Sequence, residues 1–109
     1  MPLRPVEFHI LLALAGEERH GYAILQAVAA LTDEELVLEP GTLYRALHRM
    51  LRDGWVAESA RRPAPDLDDE RRRYYRITAL GTAVAKAEAR RLAQLVRMAR
   101  ARGLAPEKA

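Results

Sequence analysis

Apolar and polar positions follow three rhythms along this chain, and each predicts a different kind of element. From Pro5 to Ala15 the residues are apolar almost all round, with Val6, Phe8, Ile10, Leu11, Leu12 and Leu14. That predicts a helix covered on more than one side. In a small domain the cover is expected from its own core and from a second subunit, with Phe8 and Leu11 at the contact between copies. Gly16–His20 reads as a polar turn. Ile24, Leu25, Val28 and Leu31 then recur at helical spacing and predict a second helix from Gly21 to about Leu31. Thr32–Glu35 breaks the pattern, and Leu36–Leu38 is a short β-prone run.

The stretch Glu39–Gly54 sorts its residues onto two faces. Pro40 suits the first turn of a helix and Gly54 its end. Between them Leu43, Leu47, Met50 and Leu51 form an apolar stripe, while Thr42, Arg45, Arg49 and Arg52 form a polar one flanked by Tyr44 and His48. A helix held to a core on one side and lined with Arg, Thr, His and Tyr on the other suits a DNA groove. The competing reading is an ordinary amphipathic helix with solvated arginines.

After Gly54 the rhythm shortens to two. Trp55–Arg62 and Arg71–Thr78 read as strands, the second with Arg73, Tyr75 and Ile77 on one face and Arg72, Tyr74 and Arg76 on the other. The intervening Pro63–Glu70 is a loop by composition. Strand, loop and strand after a recognition-type helix make a two-stranded wing, with Trp55 and Tyr75 as core aromatics beneath it. Thr78 can cap a last helix over residues 79–102 that Gly103 and Pro106 close. Leu80, Val84 and Ala87 make its first apolar stripe, and Leu92, Leu95, Val96 and Ala99 a second. At roughly 35 Å this helix outruns the domain before it, and its far stripe has no visible partner within the chain. A second copy is the simplest cover.

Composition sharpens this picture more by exclusion than by assertion. A chain of 109 residues makes one small core. The net charge of +3 hides an asymmetry: five Arg against nine acids in residues 1–60, thirteen Lys and Arg against six acids in residues 61–109. The basic excess follows the two-faced helix and agrees with a polyanionic partner. There is no cysteine, so disulfides, Cys-based zinc sites and thiol catalysis are excluded. No membrane-length apolar run or signal-peptide pattern occurs, so the expected setting is the cytoplasm, with no membrane partner. His9, His20 and His48 lie far apart in sequence without an H-E-x-x-H pairing. Ser59, the only serine, has no nearby histidine to activate it. Asp66, Asp68, Asp69 and Glu70 lack the glycine and distal glutamate of a calcium loop. No enzyme activity, metal or cofactor is expected.

Candidate DNA contacts sort by chemistry. Thr42, Arg45 and Arg49, near the start of the third helix, suit base edges, and arginine to guanine is the commonest specific contact. Tyr22, Tyr44, His48 and Arg52 suit phosphates, as do Arg71, Arg72 and Tyr74 on the wing. His20, Gly21 and Tyr22 open the second helix, where backbone N–H groups and the helix dipole favour an anion. Against this, His20 reads equally as a turn residue and Tyr22 as the edge of the core.

Four motifs in order, His20-Gly-Tyr22, Pro40-Gly-Thr-Leu-Tyr44-x-x-Leu47, Gly54-Trp-Val and Tyr74-Tyr-Arg-Ile-Thr78-x-x-Gly81, resemble the PadR-like transcriptional regulators. The resemblance runs from about residue 5 to 100. It implies a mostly α fold with a small β-wing: a winged helix-turn-helix DNA-binding domain over residues 1–78, then a C-terminal dimerisation helix and short tail over 79–109, as in the family's short subgroup. It further implies a homodimer that binds palindromic double-stranded DNA, usually as a repressor, in some members released by a small-molecule effector. Tyr22 and Tyr44 would then touch the DNA backbone. Phe8, Leu11, Leu92, Leu95, Val96 and Ala99 are the expected dimer contacts. Residues 79–102 hold no aromatic, unlike the drug-binding members, which leaves Leu95 and Met98 as the candidate ligand contacts beside simple packing. The four acids of the wing loop argue against its tip entering a minor groove. Two alternatives remain: a winged-helix protein-interaction module without specific DNA binding, and a ligand sensor acting through the dimer cavity.

Overall fold

Pro5 stands in the first turn of α1 (Pro5–Leu14), and the Arg4 N–H just ahead of it donates to Glu7 Oε1 at 3.0 Å. The computed structural model describes residues 3–33, 35, 37–60 and 73–106. The expected wing loop, with Arg71 and Arg72, lies outside them. The all-round apolar character of α1 finds most of its cover within the chain, because the helix packs on α2 (Gly21–Leu31), α3 (Pro40–Asp53), β3 (Tyr74–Ile77) and α4 (Ala79–Ala101). Leu11, expected at a contact between copies, is therefore wholly buried in the core. Leu12 is exposed and Phe8 half-buried on the same helix.

The core joins the helices to the wing. Ile10, Leu14, Ile24, Val28, Leu43, Leu47 and Met50 are buried together with Val56 and Tyr75. Trp55 packs partly buried against them, so both aromatics sit as expected. Gly54 ends α3 in the left-handed region at φ 81°, and the Trp55 N–H returns to the Met50 carbonyl at 2.9 Å. Glycine tolerates that conformation at no steric cost and so turns the chain directly into β2 (Val56–Glu58).

The sheet departs from expectation. Arg19–His20, expected within a polar turn, forms β1, and the antiparallel order is β1-β3-β2. His20 pairs with Tyr74 and Arg19 with Tyr75, while Val56 pairs with Ile77 and Glu58 with Tyr75. Two residues carry no readable period; only the free edge of β3 makes them a strand. The wing strands are shorter than expected, and Val37–Leu38 forms no strand.

Thr78 joins wing to last helix. Its hydroxyl accepts from the Gly81 N–H at 3.0 Å and donates to the Gly54 carbonyl at 2.6 Å, and its own N–H donates to the Trp55 carbonyl at 3.0 Å. Gly81 lies against that same carbonyl, where a Cβ would collide with backbone. This contact sets the rotation of α4. Of the expected stripe only Val84 faces inward, joined by Gly81, Ala85 and Glu88, while Leu80 and Ala87 are exposed. Further along α4, Leu95, Val96 and Met98 stay in solvent, and the molecule is drawn out to 56 × 28 × 22 Å.

Candidate nucleic-acid interface

The two faces of α3 are realised physically. Leu43, Ala46, Leu47 and Met50 are fully buried, while Arg45, His48 and Arg52 are exposed. Arg45 Nη2 lies 3.4 Å from the half-buried Thr42 hydroxyl, which steers the guanidinium along the start of the helix. Arg52 keeps 72% of its side chain in solvent beside Asp53 at 3.4 Å, a surface pair too exposed to bind it firmly.

Two members of the expected surface turn inward. Arg49 has only 29% of its side chain exposed, and its Nε lies 3.7 Å from Glu7 Oε2 on α1. At 100° per residue Arg49 is about 60° from buried Ala46, against about 100° for Arg45. Its stem therefore runs along the edge of the core rather than away from it. Tyr44 lies on the opposite flank, about 60° from Leu47. Its hydroxyl is buried against Gly21 at the start of α2, where a Cβ would overlap it. Arg49, expected at base edges, and Tyr44, expected on phosphate, thus both lean toward neighbouring helices, Arg49 toward α1 and Tyr44 toward the start of α2.

The start of α2 is built on His20. Its Nδ1 accepts the Ala23 N–H at 3.1 Å and caps the helix, so a neutral ring carries its proton on Nε2. The imidazole meets the Tyr74 ring edge-on, with centroids 5.4 Å apart, and so links α2 to the wing. Tyr22 is 60% exposed one residue into the helix, not at the edge of the core. On the wing, Arg76 is exposed on the face opposite Tyr75, whereas Arg73 is drawn toward Glu58 at 4.0 Å. Tyr22, Arg45, His48, Arg52 and Arg76 thus remain exposed on the elements that build the surface, with His20 and Tyr74 half-buried at the junction of α2 and wing.

Two buried acids, Glu7 and Glu88, lie outside the expected site residues. Glu7 is a buried acid at the third position of α1, and the sequence signal is present: it is the only acid in a helix that is apolar apart from it and His9. Glu88 is buried on α4 and grips Arg91 through two hydrogen bonds of 2.8 and 2.7 Å. Those bonds hold its carboxyl below the usual range and raise the Arg91 guanidinium, with burial opposing and charge attraction adding in each case. Of the expected far-stripe residues, Leu95 and Val96 are 47% and 40% exposed, and Leu92 and Ala99 half-buried.

Comparison with known proteins agrees with this geometry. The model of the PadR-like family of transcriptional regulators matches residues 10–87. The chain is 36% identical over 92 residues to the transcriptional regulator Rv3488 of Mycobacterium tuberculosis, covering 84% of this chain and 79% of that protein. It superposes on a transcriptional regulator from Clostridium thermocellum with a TM-score of 0.70 at 28% identity, covering 85% of this chain and 84% of the other. Bacillus subtilis PadR, solved in complex with operator DNA, shares the fold at a TM-score of 0.67 and 19% identity, over 79% of this chain and 47% of that one.

Proposed function

The chain belongs to the PadR-like family of transcriptional regulators, which are not enzymes, and from that premise we propose that it works as a homodimeric repressor on a palindromic operator. The observation that carries the reading is the division of α3: its apolar residues are sealed in the core while Arg45, His48 and Arg52 stand free of it beside the wing and the start of α2. In this reading α3 enters the major groove, with Arg45 and Thr42 at base edges. His48, Arg52 and the exposed phenol of Tyr22 meet phosphates. The His20 Nε2–H and the first turn of α2 add a donor and a favourable dipole for the same strand. Tyr74, Arg76 and the wing arginines Arg71 and Arg72 extend the backbone contact. Residues 1–78 act as the reading unit and 79–109 as the pairing unit.

Dimerisation is supported by the apolar surface that α4 leaves in water. Leu95, Val96 and Met98 cluster on its far half, and Leu104 lies just beyond its end at 79% exposure. A second copy would remove them from solvent along with Leu92, Ala99 and the half-buried Phe8. Two recognition helices in such a dimer meet successive major-groove turns if they stand about 34–36 Å apart. Footprinting on the DNA beside the protein's own gene tests the reading: an inverted repeat protected at physiological salt supports it, and no duplex bound at low salt sinks it. Light scattering tests the dimer, which a monomer at micromolar concentration would contradict.

A second reading, effector control, is favoured by one cleft. Between α1 and α4 lies an open space of about 310 Å³, lined chiefly by Phe8, Leu12, Ile77, Ala85 and Ala89. Apolar walls of this size suit a small flat ligand, and Leu95 and Met98 would approach it only from a second copy. Thermal shift against phenolic acids and hydrophobic cations tests it, and stabilisation should rise with ligand concentration as binding to the folded state requires.

A further inference from the structure

Glu7 is one of three polar or charged residues buried among the described residues, at 6% exposure. Both its oxygens are engaged. Oε1 accepts the Arg4 N–H at 3.0 Å, and Oε2 faces Arg49 Nε at 3.7 Å. The Arg49 Nε is itself out of water and makes no hydrogen bond. A buried carboxylate and a guanidinium whose Nε is out of water, on two different helices, neutralise one another, because the acid left alone would carry an uncompensated desolvation cost. The consequence falls on α3, whose sequence offers three arginines on one stripe but whose fold leaves Arg45 and Arg52 exposed and Arg49 half-buried against Glu7.

We infer that Glu7 is a positioning residue for operator binding: it holds Arg49 against α1 as an internal counterion and withholds that guanidinium from the DNA backbone. The inference rests on the DNA-binding reading above. Phosphates attract every arginine alike, so each cation added to α3 strengthens binding to all sequences and narrows the margin between operator and bulk DNA. An acid built into α1 takes one cation out of that competition. It also leaves base reading to Arg45, which Thr42 orients. Phosphate must displace a carboxylate already in place and shielded from water, so Arg49 stays with Glu7 in the complex.

Glu7→Gln tests this with little change of shape, since the amide oxygen still accepts the Arg4 N–H. Binding to operator and to an unrelated duplex is measured across salt for the wild type, E7Q, R49A and the double variant, with folding checked by circular dichroism. A phosphate contact steepens the plot of log K against log salt by about 0.9. E7Q should gain that slope and bind the unrelated duplex roughly eight-fold more tightly at 0.1 M salt, as the same slope implies. R49A alone should leave the slope of the wild type unchanged, and R49A in the E7Q background should abolish the gain. Weaker binding by E7Q at unchanged slope would make Glu7 a mere structural brace and overturn the inference. So would an R49A variant that loses a full phosphate's slope, a result that stands even if E7Q does not fold. A wild type that binds no duplex overturns the DNA-binding reading and this inference together; one that binds while E7Q shows no gain overturns the inference alone.

Discussion

Replacing Gly81 by alanine sets two magnitudes against each other. In an open helix the change stabilises by about 1 kcal/mol, because glycine has the larger conformational entropy to lose. Here the added methyl would meet the Trp55 carbonyl oxygen and carbon and the Ile77 side chain. The obstacle is backbone, which cannot rotate aside as a lysine tip would. Overpacking of this kind costs about 1–3 kcal/mol. Shifting α4 away from Trp55 also strains the Thr78 N–H bond to the same carbonyl, a further loss of about 1 kcal/mol. The balance is a destabilisation on the order of 2 kcal/mol, or roughly 10 °C in melting temperature for a domain of this size. Thermal unfolding by circular dichroism, at one fixed protein concentration because a dimer's stability depends on it, measures this. Gly103→Ala is the comparison: it has open space around it but φ 74°, so it should cost about 1–2 kcal/mol of backbone strain with no collision. A Gly81→Ala variant as stable as the wild type, or more so, would refute the claim that this contact sets the rotation of α4.

Arg45→Ala should lose about 1–3 kcal/mol on the operator and relax preference at one base position, whereas Arg52→Ala should weaken operator and unrelated duplex alike; electrophoretic titration against single-base variants separates the two. Leu95→Glu places charge on the exposed far stripe of α4 and should give a folded monomer by light scattering with little operator affinity. Because Arg91's hydrogen bonds depress the Glu88 carboxyl, this pair adds stability above the usual carboxylate range and loses it as pH falls through the depressed value. Thermal melts from pH 6 to pH 3 should therefore fall more steeply for the wild type than for Glu88→Gln, and parallel curves would dismiss the pair.

Much of the architecture was legible because helical periodicity and caps are local. Pro40 and Gly54 bound α3, Thr78 starts α4, and Gly21–Leu31 is the second helix, all as the sequence predicts. The alternation around Tyr75 also placed the buried face of the wing. The site was legible by residue type but less so by direction. Arg45, His48 and Arg52 face solvent as expected, yet Arg49 and Tyr44 sit on the flanks of the apolar arc, about 60° from a buried neighbour. There a long side chain goes wherever a partner waits, and the partners, Glu7 and Gly21, lie on other helices. Leu11, which the sequence offers as a contact between copies, is sealed within its own chain, because an all-round apolar helix does not disclose how much of its circumference the rest of its own chain can cover.

The sequence by itself determined which segments are helical, where they stop, and which face of α3 must be sealed from water, since these follow from spacing within a few residues. Tertiary structure alone decided that Arg19–His20 is a strand, that Gly81 turns α4 by meeting the Trp55 carbonyl, and that one of three aligned arginines answers to an acid on α1. Each depends on two groups distant in the chain coming within a few ångströms of each other, and no period along one segment encodes that distance.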